Sequence, residues 1–91
     1  TGVSGEVASK IADIMKEMSN TLQLISITHL PQIASKAKNH LFVYKNTEGD
    51  KTNSNIRILS KEERITEIAK MLSNDKITAE ALKAAEVLIT Q

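Results

Sequence analysis

From Ser4 to Met18 the apolar side chains fall at Val7, Ile11, Ile14, Met15 and Met18, a spacing that places them on one stripe of a helix facing a core. Ser4 stands where a hydroxyl can accept a backbone N–H at the helix start, and Glu6 lies in the first turn, where the helix dipole favours a carboxylate. Glu6 and Lys10 are one turn apart on the exposed side. Ser19-Asn20 breaks the pattern. The run Leu22-Gln23-Leu24-Ile25-Ser26-Ile27 is apolar without clean alternation, which suits a strand covered on both faces, as in a parallel sheet under helices. It ends at Thr28-His29, and Pro31 suits the first position of a short helix reaching about Ala37.

Two β-rich runs follow, Leu41-Phe42-Val43-Tyr44-Lys45 and Asn55-Ile56-Arg57-Ile58-Leu59. Between them Asn46-Thr47-Glu48-Gly49-Asp50-Lys51 is full of turn formers, so the pair reads as an antiparallel hairpin. A loop of that length does not dictate the register. Ser60-Lys61-Glu62-Glu63 matches a capping box and opens a helix carrying Ile65, Ile68, Ala69 and Leu72. Asn74-Asp75 punctuates it. Thr78 can cap a last helix with Ala81, Leu82, Ala85, Leu88 and Ile89 on its apolar side. The predicted order is α-β-α-β-β-α-α, an α/β chain with a β-hairpin and two C-terminal helices. A lone parallel-type strand cannot make a sheet, so the partners of Leu22–Ile27 are expected outside these residues or on a second copy.

Composition narrows the classes. Ninety-one residues suffice for one small domain, and a chain of that size buries only about 60–65% of its unfolded surface. With one Phe, one Tyr and no Trp, the core must come from Ile, Leu, Val, Met and Ala; Met15, Met18 and Met71 are expected to pack there. The absence of Cys excludes a disulfide framework and thiolate metal sites, and suits a reducing compartment. No apolar run approaches the roughly 20 residues of a membrane span, and no secretory pattern opens the chain. Net charge is +1 with the charges mixed, so direct DNA binding through a basic stripe is disfavoured. Because residue 1 is Thr and a strand lacks partners, the chain is expected to be an excised piece of a longer protein.

Two places can carry chemistry. Thr1-Gly2-Val3-Ser4-Gly5 is a glycine-bracketed turn at a helix start, where glycine permits close backbone approach and the helix end presents N–H groups; taken alone, a simple cap is the better explanation. His29 falls at the carboxyl end of the predicted buried strand, where open α/β sheets gather ligands, and an imidazole there can meet an anionic oxygen or orient water. Its plain reading is a residue that closes a loop. His29 and His40 lie on different elements without further ligands nearby, so a metal pair is not expected. Glu62 and Glu63 read as a solvated first turn. Lys45, Lys51 and Arg57 read as solvated strand charges, with phosphate contact as a lesser option.

Taken in order, Thr1-Gly2-Val3-Ser4-Gly5-Glu6-Val7-Ala8, then Leu24-Ile25-Ser26-Ile27-Thr28-His29-Leu30-Pro31-Gln32-Ile33-Ala34, then Ser60-Lys61-Glu62-Glu63-Arg64-Ile65 and Glu67-Ile68-Ala69-Lys70-Met71-Leu72, the chain resembles the C-terminal end of the RecN family. Those are bacterial DNA-repair ATPases related to SMC and ABC heads. The resemblance covers nearly the whole chain. It implies part of a P-loop NTPase head of ABC/SMC-like type. Residues 1–38 would hold the D-loop, helix, strand and switch histidine, residues 39–59 the hairpin, and residues 60–91 the two helices. Thr1, Gly2, Val3, Ser4 and Gly5 would form the D-loop at the interface of two ATP-sandwiching heads. His29 would contact the γ-phosphate and the attacking water, whereas Pro31 and Gln32 would only launch the next helix. ATP and Mg²⁺, a second head, DNA and a cytoplasmic, nucleoid-associated location would belong to the intact parent. The G-x-x-x-x-G-K-[ST] loop, the signature segment and the Mg²⁺-holding acidic strand end are absent from these residues. The fragment alone is therefore expected to bind no cofactor, to be inactive, and to self-associate. The alternative is a stand-alone, non-enzymatic protein-interaction module.

Overall fold

The computed structural model describes residues 4–91. Its elements, in chain order, are α1 (Gly5–Met18), α2 (Pro31–Ala34), β1 (Leu41–Glu48), β2 (Lys51–Ile58), α3 (Lys61–Leu72) and α4 (Ala79–Thr90). Helix α1 begins as its sequence predicts, the Ser4 hydroxyl accepting the Val7 N–H at 3.3 Å. The two cap signals further on also hold. Ser60 and Glu63 exchange both bonds of a capping box before α3, and the Thr78 hydroxyl accepts the Ala81 N–H at 3.0 Å before α4.

The core sits between α3 and α4. Ile68, Ala69, Ala81 and Ala85 are buried together with Ala34 of α2, and Ile65, Met71, Leu82, Leu88 and Ile89 pack around them. Alanines at the contact let the two helices approach closely, so Ile68 is the one large side chain fully enclosed among the described residues. Complete burial of such a side chain is worth about 1.5–3 kcal/mol. Leu72, predicted for the core stripe, lies exposed at the end of α3, and Met71 packs on the cluster in its place.

Three expectations are corrected. Leu22–Ile27 forms no strand, because a strand exists only through hydrogen bonds to a neighbour and none is present among the described residues. The observed order is therefore α-α-β-β-α-α, with a two-stranded antiparallel sheet. Second, the α1 stripe does not face a core: Val7, Ile11, Ile14 and Met18 are exposed. The α1 positions that are buried are Ala8 and Ala12, and the helix packs on α2. Third, α2 ends at Ala34, three residues short of Ala37. Its last carbonyls are drawn off by a cation, since Arg64 Nη2 on α3 donates to the carbonyls of Ala34, Ser35 and Ala37.

The hairpin is longer than its apolar runs suggest. Pairing continues from Leu41↔Ile58 through Thr47↔Thr52 to Glu48↔Lys51, leaving Gly49 and Asp50 as a two-residue loop. Gly49 has φ +59° whereas Asp50 is not in the positive-φ region, the φ pattern of a type II′ turn, which places glycine first. Among the described residues, no helix is long and apolar enough to cross a membrane.

Candidate functional site

The candidate site gathers where the amino end of α1 meets the start of α2. Of the five residues of the predicted D-loop, Thr1, Gly2 and Val3 lie outside the described residues, whereas Ser4 and Gly5 are in place. Ser4 spends its hydroxyl on the Val7 amide and its carbonyl on the Ala8 amide at 2.9 Å, so it acts first as a helix cap. A Cβ added to Gly5 would stand 3.2 Å from Nε2 of Gln32. That spacing is tighter than ordinary van der Waals contact, so a side chain at residue 5 would shift the Gln32 amide by a few tenths of an ångström.

His29 lies three residues before Gln32 and is exposed. The turn that carries it is locally fixed. Thr28 Oγ1 accepts the Leu30 N–H at 3.0 Å, and the Leu30 carbonyl accepts the N–H groups of Ile33 and Ala34 at 3.1 and 3.0 Å. An imidazole on such a turn is accessible to a ligand, and Pro31 holds the following backbone in the helical start. What reaches the Ser4–Gly5 turn is the Gln32 side chain of α2, to which the sequence pattern assigned no chemistry. Only the neighbouring Gly5, small at a helix start, hinted that something must approach there.

The remaining candidates separate. His40 lies before β1, on a different element from His29, and its ring is partly buried; burial first, and the Arg64 charge second, hold its pKa below the usual 6.5. Arg57, Lys45 and Lys51 belong to the hairpin. Arg57 meets Glu63 at 2.6 Å and lies over the Phe42 ring, 5.9 Å from its centroid. Arg64, which sequence pattern did not single out, is partly buried and holds α2 in place.

No family model matches the chain. Individual relatives do. The DNA repair protein RecN of Rickettsia typhi is 42% identical over 88 residues, 97% of this chain and 16% of that protein. RecN of Bacillus subtilis is 37% identical over 91 residues, 100% of this chain and 16% of that protein. RecN of Vibrio cholerae is 34% identical over 88 residues, again 97% of this chain and 16% of that protein. The chain therefore spans about one sixth of the length of the curated relatives it matches. Matches of this strength, repeated in distant bacteria over nearly every residue, make the chain a homologue of one segment of the RecN family.

Proposed function

We propose that this chain is part of the ATPase head of a RecN-type DNA repair protein, within an ABC/SMC-like P-loop fold. In this reading the Ser4–Gly5 turn belongs to the D-loop that faces a second head, and His29 acts on the terminal phosphate and the attacking water. Residues 1–38 then carry the D-loop and switch elements, residues 39–59 the hairpin and residues 60–91 the two terminal helices. ATP, Mg²⁺, DNA and the second head are partners of the longer protein in the cytoplasm. Phosphoryl transfer is catalysed by positioning and charge stabilisation, and the phosphate-cradling loop must come from residues outside this chain.

The observation that carries the reading is the approach of α2 to the amino end of α1, with Gln32 against Gly5 and His29 left exposed just upstream. His29 precedes Gln32 by three residues, and a helix N-terminus is the part of a protein best suited to an anion; in this reading the two meet at the terminal phosphate. In the longer protein, His29→Ala should lower kcat for ATP hydrolysis by about 100-fold, the low end for a positioned acid–base group. Nucleotide affinity should move little, because the side chain acts chiefly on the reacting phosphate. Steady-state turnover and equilibrium nucleotide binding measure the two separately. Unchanged turnover removes His29 from the mechanism.

The exposed apolar faces of α1, of residues 22–27 and of the hairpin favour a second reading, a non-enzymatic module that docks on another polypeptide. The two readings part on turnover in the longer protein.

A further inference from the structure

Away from α1, the segment entering β1, the end of β2 and the start of α3 enclose an open cleft of about 270 Å³. Lys38, His40, Lys61 and Arg64 line it, with Ile89 of α4 also in the wall, and none of its lining residues is acidic. It shares no residue with the Ser4–Gly5 turn or with His29. Two polar atoms here are buried without a hydrogen-bond partner, Arg64 Nε and His40 Nδ1. Arg64 spends Nη2 on the carbonyls of Ala34, at the end of α2, and of Ser35 and Ala37 beyond it, all of them neutral acceptors, and forms no ion pair among the described residues. The α3 carboxylates that could have neutralised it are engaged elsewhere. Glu63 accepts the Ser60 amide and meets Arg57 at 2.6 Å, and Glu67 meets Lys70 at 3.3 Å, its remaining charge acting weakly on His40.

A partly buried guanidinium without a carboxylate partner, beside two lysines and an imidazole, is an unbalanced charge, and buried charge is ordinarily paired. We propose that this cleft binds a phosphate group, with the Arg64 guanidinium supplying fixed charge in its wall, His40 beside it, and Lys38 and Lys61 supplying mobile charge. Arginine and lysine suit phosphate in these two ways, as directed donor and as point charge. The phosphate can be a diester of a nucleic-acid backbone or a free ion; the chemistry of the cleft is the same for both.

The test uses the 91-residue chain labelled with ¹⁵N. Its Arg64 Nε–H and His40 ring resonances are followed while inorganic phosphate replaces chloride at constant ionic strength. In a separate arm the titrant is a single-stranded oligonucleotide without terminal phosphates. A saturable shift of both resonances is expected in at least one arm. In the double variant Lys38→Gln, Lys61→Gln the affinity should fall about tenfold or more, the loss of one charged contact or its equivalent. Both lysines are exposed, so that variant keeps the fold and reads charge alone. Saturation by phosphate alone assigns a free ion, and tighter saturation by the strand assigns a backbone diester. No saturable shift in either arm, or shifts indifferent to the lysine substitutions, overturns the proposal.

Discussion

Glu63 is held at both carboxylate oxygens. Oε1 accepts the Ser60 amide at 3.0 Å, and Oε2 meets Nη1 of Arg57 at 2.6 Å. The Ser60 amide first, and Arg57 second, hold its pKa below the ordinary 4.5. Both contacts favour the ionised form. A carboxyl whose folded pKa is depressed lends stability that is complete above its unfolded value and lost as pH falls through the folded one. His40 adds an earlier step of the same sign. Its imidazole is kept neutral by burial and by Arg64, so stability is complete above 6.5 and declines as pH drops below it toward the lowered folded value. Glu63→Gln retains an amide oxygen for the capping box, which accepts Gln, and loses the titration and the ion pair. Denaturant midpoints measured against pH should therefore fall in two steps for the natural chain, and only in the first for the variant. Parallel curves below pH 4.5 would show that Glu63 ionisation is not coupled to folding.

At the scale of elements, stability concentrates where α3 and α4 meet. Ile68 is the only large side chain fully enclosed there among the described residues, and its neighbours Ala69, Ala81 and Ala85 are too small to refill a void. Ile68→Ala should cost about 2–5 kcal/mol, a large share of the roughly 5–15 kcal/mol that holds a typical domain together. Urea unfolding followed by circular dichroism measures it; a loss below about 1 kcal/mol would place the core elsewhere. The helices that build this core were legible because their signals are local. Ser60 finds Glu63 three residues away, Thr78 finds Ala81, and the stripe on α4 repeats with the helical period. Strand pairing is not local, and there the sequence said less. Leu22–Ile27 has strand composition and no partner. Thr47, read as turn, faces Thr52 across the ladder with hydroxyls 3.4 Å apart, because a two-residue loop at Gly49 let the pairing run on. The site divides in the same way. His29 and Gly5 could be named from pattern, whereas the contact of Gln32 with Gly5, and of Arg64 with the carbonyls at the end of α2, became visible only once distant segments were side by side.

For the whole molecule, the radius of gyration is 14.4 Å, against roughly 12 Å for a compact domain of this length. The excess has a visible origin. Contacts run in sequence from α1 to α2, α2 to α3 and α3 to α4, while β1 and β2 pair chiefly with one another. Large apolar side chains are left in water on three surfaces. Val7, Ile11 and Ile14 line α1; Leu22, Ile25 and Ile27 follow it; and Leu41, Val43, Ile56 and Ile58 share one face of the hairpin. Apolar surface on this scale is costly in water and marks sites of association. The backbone of residues 23–27, which pairs with no strand among the described residues, adds N–H and C=O groups ready for a strand partner. The isolated chain should therefore self-associate as concentration rises, and hydrogen exchange should show where. The amides of Leu24, Ile25 and Ile27 should exchange fast in dilute solution, where no ladder covers them. They should slow as the sedimentation-derived mass increases. If mass grows while those amides stay fast, the apolar faces of α1 or the hairpin drive the association and strand pairing does not. A clean monomer at high concentration would mean that water alone can cover all three surfaces, and the inference that they were shaped to meet another polypeptide would fail with it.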